Sequence, residues 1–210
     1  MNRKAIYKLS YGLFVLTARE ADKDNGCIIN TAIQAASEPE QLSICVNKAN
    51  YTHDMIERTG EFTVSILDQS ADFDLFKHFG FQSGRDTDKF DSYDKCRRGN
   101  NGIYYITEGT NAYISVRVSQ KTDLGSHTMF IGEITDMEVL SENPSVTYDY
   151  YHNNIKPKPQ TAAKTDDSRT VWRCIICGYE YEGENLPDDF ICPLCKHPAS
   201  DFEKIVKGTA

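Results

Sequence analysis

Ala112-Tyr113-Ile114-Ser115-Val116-Arg117-Val118 alternates its side chains with a period of two, the pattern of a strand with one buried face. Met129-Phe130-Ile131-Gly132-Glu133-Ile134 does the same and continues towards Val139-Leu140. Upstream, residues 13–18, 27–33, 42–46 and 62–67 are rich in β-branched and aromatic side chains and bounded by Gly, Asp, Asn or Pro. Short helices fit between them at 52–59, with Gly60 as the stop, and at 72–79, closed by Gly80. Six or more strands with few long helices predict a mainly β domain, an antiparallel barrel rather than a doubly wound sheet.

Composition excludes several classes. The chain has 210 residues, is 40 % hydrophobic and carries twelve Tyr and ten Phe, enough to build a packed core. The apolar run Leu13 to Leu16 is four residues long, far short of the roughly 20 that cross a bilayer. No apolar segment follows the basic pair Arg3-Lys4, so no secretory leader is expected and the cytoplasm is the predicted compartment. A net charge of −8 offers no basic face for nucleic acid.

Seven cysteines, an odd number, argue against a disulfide framework. Cys27, Cys45 and Cys96 are scattered and read as small core hydrophobes. Cys174, Cys177, Cys192 and Cys195 form two C-x-x-C pairs with 14 residues between them. Each pair can turn two thiolates onto one ion, and two pairs make a tetrahedral S4 cage suited to Zn or Fe. Residues 156–170 contain no large apolar side chain and two X-Pro steps, so they are expected to be a flexible linker between a domain at 1–155 and one at 171–210. A linker of that length spans at most about 50 Å and averages about 20 Å.

Around the cysteines, Trp172, Gly178-Tyr179, Tyr181, Pro187-Asp188-Asp189-Phe190 and Phe202 make the last forty residues resemble rubredoxin. That resemblance implies one Fe(3+/2+) held by Cys174, Cys177, Cys192 and Cys195. The spacing by itself also admits a structural zinc ribbon. Two departures stand out: the stretch between the pairs is shorter than in free rubredoxins, and Lys196 occupies the usual place of a glycine.

Residues 1–155 contain neither G-x-G-x-x-G nor G-x-x-x-x-G-K-[ST], so from the residues alone this is a ligand-binding β domain. However, the ordered segments Ala5 to Gly12, Asn25 to Thr31, Val46 to His53, Ser83-Gly84 before Asp88-Lys89-Phe90, and Gly125-Ser126-His127-Thr128 onward to Glu133 resemble the flavin reductase family. The resemblance implies an FMN-binding split barrel, usually a homodimer with flavin near the interface. Such a domain fused to a rubredoxin domain is similar to the high-molecular-weight rubredoxins, which occur beside flavodiiron proteins. It further implies that NADH or NADPH gives hydride to FMN. Electrons then pass singly to the iron and on to an acceptor, expected to be a flavodiiron oxygen or nitric oxide reductase. Asn47, Lys48 and Thr52 are the expected phosphate contacts, with Ser83 and Gly84 as further candidates. Asn30, Thr31, Ala32 and Cys45 are expected along the ring, and His127 facing flavin or nicotinamide as the catalytic candidate. His53, His78, His152 and His197 are expected at the surface. Two other readings remain: a free flavin or ferric reductase with a zinc-ribbon tail, and a non-catalytic flavin or redox sensor.

Overall fold

The structure is a computed structural model describing residues 5, 8–157, 169–174, 179–192 and 198–207. The chain divides into two compact units, Met1–Pro157 and Lys158–Ala210. Most of the expected linker, residues 158–168, lies outside the described residues, and Arg169 and Thr170 at its far end already belong to a strand.

In the first unit, β1 (Phe14–Glu20), β2 (Lys23–Ile29), β3 (Ala32–Ser37), β4 (Glu40–Asn47), β5 (Glu61–Leu67), β8 (Thr110–Asp123) and β9 (His127–Val139) form one antiparallel sheet in the order β2-β1-β5-β8-β9-β4-β3. The outermost strands, β2 and β3, are consecutive in sequence and joined by Asn30-Thr31 alone. A two-residue link cannot span an open sheet, so the sheet curls until its edges approach, giving the expected barrel. The predicted single strand 27–33 is therefore two strands meeting at a corner. Both halves are β-rich, and Asn30, a turn former, is the one residue type that marks the bend. β6 (Cys96–Arg98) and β7 (Tyr104–Ile106) form a separate small ladder that the sequence reading did not anticipate.

The apolar run at 13–18 is explained by burial on both faces of β1. Phe14, Leu16 and Ala18 point into the barrel with Ile44, Val46, Phe62, Val64 and Phe130. Leu13 and Val15 face the other way and pack with Leu67, Phe76, Phe79, Ile106 and Tyr151. Burying a side chain such as Phe62 or Phe130 contributes about 1.5–3 kcal/mol. Helix α1 (Tyr51–Thr59) adds Met55 and Ile56 to the interior of the barrel. It stops at Gly60, whose φ of +71° is easy for glycine and whose N–H reaches Ile56 O at 2.9 Å. Helix α2 (Phe73–Gly80) starts from Asp72, whose side chain accepts from Leu75 N, and covers the outer face of β1 and β2. No helix among the described residues is long and apolar enough to cross a membrane.

In the second unit, β10 (Arg169–Cys174), β11 (Glu180–Glu182) and β12 (Phe202–Lys207) form a sheet in the order β11-β10-β12. Phe190 packs against Tyr181 at 4.8 Å and edge-on against Phe202 at 5.4 Å between ring centres, giving the small aromatic core expected near the cysteines.

Candidate functional site

The alternation of β4 creates the first half of the site. Leu42, Ile44 and Val46 enter the core, so Cys45 and Asn47 take the opposite face, as a period of two demands. Register then sets Met129 opposite Cys45 and His127 opposite Asn47. The corner between β2 and β3 joins them: Thr31 Oγ1 donates to Cys45 O at 2.9 Å, and Cys45 N donates to Thr31 O at 3.2 Å. Ala32 follows, opposite Ile44, and Asn30 is half-buried at the corner itself. Thus Thr31 is joined to Cys45, with Asn47 and His127 on the same sheet face and Asn30 next to Thr31 at the corner, whereas Ala32, expected along the ring, packs on the barrel core with its partner Ile44 because cross-strand partners share a face. Partial burial raises the Cys45 thiol above its ordinary pKa, which keeps it a neutral wall.

At the mouth of this face, the Asn47 side chain accepts from Ala49 N at 2.9 Å, and Lys48 N donates to Ser126 O at 3.0 Å. Lys48 Nζ pairs with Asp123 Oδ1 at 2.6 Å, and this contact holds the Asp123 carboxyl below its usual range. His127 is half-buried with Nδ1 2.9 Å from Ser126 Oγ.

The second half of the site lies around α1 and the loop after α2. Thr52 is fully buried, not at the helix cap: Asn50 is the N-cap residue, and Thr52 Oγ1 accepts from Asn25 Nδ2 at 2.9 Å. Its hydroxyl therefore supports the wall of the site. Gly84 lies against the same asparagine, and a Cβ there would come within 2.1 Å of Asn25 Oδ1. That buried oxygen has no hydrogen-bond partner among the described residues. Ser83 begins a tight turn, its Oγ accepting from Arg85 N at 3.2 Å. Arg85 in turn pairs with Asp54 on α1 at 2.6 Å. Burial alone would raise the Asp54 carboxyl, but hydrogen bonds from Arg85 and His53 hold it below its ordinary value.

Two residues escaped the sequence reading. Asn25 links Thr52 to Gly84 from inside β2. His53, expected at the surface, is 7 % exposed, with Nε2 2.8 Å from Thr128 Oγ1, Nδ1 3.1 Å from Asp54 Oδ1, and its ring tilted against Phe130. It ties α1 to the strand that carries His127. His78 and His152 are likewise half-buried, not exposed, and His197 lies outside the described residues.

A cavity of about 530 Å³ elsewhere in the unit, bordered by Asp68, Asp72, His78, Tyr93, Glu108 and Asn143, shares no residue with this constellation. Asp68 there accepts from Ser70, Ser141 and Asn143, which accounts for its burial without a ligand.

In the tail, Cys174 and Cys192 are both 0 % exposed, and Cys174 N donates to Tyr179 O at 2.8 Å. Cys174 ends β10 opposite Phe202. Cys177 and Cys195 lie outside the described residues. Two buried sulfurs on separate arms of a small aromatic core suit a soft metal ion.

The model of the flavin reductase like domain matches residues 6–158, and that of the rubrerythrin, rubredoxin-like domain matches residues 172–203. The chain is 35 % identical to a high molecular weight rubredoxin of Moorella thermoacetica, over 98 % of this chain and all of that protein. It is 36 % identical to a ferric-chelate reductase (NAD(P)H) of Archaeoglobus fulgidus, over 80 % of this chain and all of that one. An NADH:FAD oxidoreductase of Streptomyces globisporus shares the fold, with a TM-score of 0.62 at 23 % identity, covering 69 % of this chain and 85 % of that one.

Proposed function

The chain belongs to the flavin reductase-like family, carries a rubredoxin-like domain behind the barrel and is an electron-transfer flavoprotein with a flavin and an iron; from that premise we propose that it oxidises NAD(P)H at an FMN in the barrel and delivers the electrons through the tail. When bound, the flavin supplies hydride acceptance and the exchange from two-electron to one-electron transfer. The residues fit such a group: Gly84 is bare where any side chain would meet Asn25, and that asparagine keeps a buried acceptor unpaired.

In this reading Thr31 and Cys45 fix the backbone edge along the ring, each through a hydrogen bond to the other. Asn47, Lys48, Ser83 and Gly84 form the phosphate end. Lys48 would exchange Asp123 for the phosphate, an easy trade because the pair is exposed. Thr52 and Asn25 keep the phosphate end in shape, and His53 anchors α1 beneath it. His127 presents its imidazole at the mouth, where it orients the nicotinamide. No general base is needed for hydride transfer, so no acid–base dyad is required.

Cys174, Cys177, Cys192 and Cys195 would hold the iron, with the aromatic core excluding water. A flexible linker of the expected length would confine the iron to about millimolar effective concentration around a flavin, its own or a neighbouring subunit's. We take the acceptor to be a flavodiiron protein and the assembly to be a homodimer in the cytoplasm.

The observation that carries the proposal is that the β4–β9 register sets Asn47 opposite His127 on the sheet face that also carries Cys45, with Thr31 hydrogen-bonded to Cys45. Purification with ample iron should give stoichiometric flavin and iron, and anaerobic NADH should bleach both. A protein with zinc in the tail, or one whose flavin NAD(P)H leaves oxidised, would overturn it.

A further inference from the structure

Lys89 is 2 % exposed and forms no ion pair among the described residues. Two cations placed in the site above are neutralised by contrast, Arg85 by Asp54 and Lys48 by Asp123, each at 2.6 Å. Lys89 Nζ instead donates to two main-chain carbonyls, Gly26 O on β2 at 2.8 Å and Phe79 O at the end of α2 at 2.9 Å. Its own carbonyl accepts from His78 Nε2 at 2.6 Å. These three bonds close off the loop that leaves α2 and carries Ser83 and Gly84. Gly26 is the residue after Asn25, so the lysine is fastened next to the side chain on which Gly84 rests.

A helix C-terminus attracts a cation, which accounts for part of the placement. It does not account for burying an ammonium with no anion, an arrangement proteins avoid. Burial pushes the Lys89 pKa down to about 8, with the charge interaction of Cys27 on β2 acting in the opposite direction. From α2 the facing titratable group is His78, stacked on Tyr93. Asp88 is exposed and occupied by Phe90 N.

We propose that Lys89 is the positioning residue of the flavin phosphate end: its buried ammonium pins the Ser83–Gly84 loop to β2 and supplies the positive field that a phosphate monoester completes. The inference rests on the flavin reading above. The dianion need not touch the ammonium, since charges a few ångströms apart through a low dielectric interact strongly. Binding of the phosphate makes the protonated lysine more favourable, so above pH 8 the protein takes up protons when FMN binds and takes up none when riboflavin binds.

The test uses the full chain, freed of flavin and titrated with FMN and with riboflavin at pH 7. Wild type is expected to prefer FMN by at least about 30-fold, and Lys89→Met to cut that preference about tenfold while riboflavin affinity changes less than about threefold. Lys89→Arg keeps more of the preference than Lys89→Met. A general structural defect would weaken both flavins together. A folded Lys89→Met protein that retains the full preference overturns the assignment, and so does the absence of FMN-linked proton uptake by wild type at pH 8.5. The latter measurement stands even if the variant does not fold. Should wild type bind riboflavin as tightly as FMN, the placement of the phosphate itself falls, a different failure from the loss of Lys89.

Discussion

The barrel and the tail distribute their chemistry in opposite ways. The tail concentrates four cysteines within 22 positions, and Cys174 and Cys192 sit fully buried in a unit with a sheet of three short strands. The barrel draws its candidate contacts from the β2–β3 corner, β4, α1, the loop after α2 and β9. In the tail, bonds from the proposed ligands to an ion would supply cohesion that so small a core cannot, so on this proposal the site and the fold stand or fall together. In the barrel, two hydrophobic clusters secure the fold, and the site is a face of an already stable sheet. Damage to the tail should be all-or-none; damage to the barrel should be graded.

The sharpest way to break this contrast is Cys174→Ala. It should abolish tail iron and lower acceptor reduction by at least about 100-fold, while NAD(P)H-driven flavin reduction stays within about twofold; absorbance and metal content measure both. A barrel that lost its flavin in this variant would show that the two units are not independent. Next in size is Gly84→Val, which pushes a side chain into Asn25. We expect FMN affinity to fall about tenfold or more, with the iron band unaltered. His127→Ala should follow, lowering kcat/KM for NAD(P)H about tenfold, or about 1.4 kcal/mol, with FMN affinity nearly constant.

The smaller effects sharpen the comparison through stability. Lys89 has a folded pKa of about 8 against 10.5 unfolded, so between these values the unfolded chain holds the proton that the folded chain has released. Stability of the flavin-free barrel therefore rises with pH across that window, by up to about 3 kcal/mol, and Lys89→Met should flatten the rise in denaturant titrations. At the bottom of the scale, Asp123→Asn should leave the thermal midpoint unmoved, because the Lys48 pair is exposed. By releasing Lys48 it should tighten FMN binding about twofold.

How much could be read from the residues follows the same division. The proposed metal ligands stand out in the sequence because bonding to one ion would restrict both residue type and spacing. The barrel strands are legible at β8 and β9 because one face is buried and the other is wet. β1 is legible as a strand, but its burial on both faces appears only once α2 packs on it. The corner at Asn30-Thr31 is hard to see because a single Asn, though a turn former, is flanked on both sides by strand-forming Ile and Thr. Asn25, Lys89 and His53 are polar side chains whose burial depends on neighbours from 27 to 75 positions away. Local pattern carries no record of such partners. Thr52 illustrates the limit from the other side: its position after β4 beside a helix start suggested a phosphate contact, yet helical geometry turns it inward to Asn25.

The most direct test is anaerobic stopped-flow mixing of the flavin- and iron-loaded chain with NADH, following the flavin band and the iron–thiolate band together. The account predicts that flavin bleaches first and iron second, with an iron rate independent of protein concentration. Iron that bleaches before the flavin, or stays oxidised after the flavin is fully reduced, would contradict it.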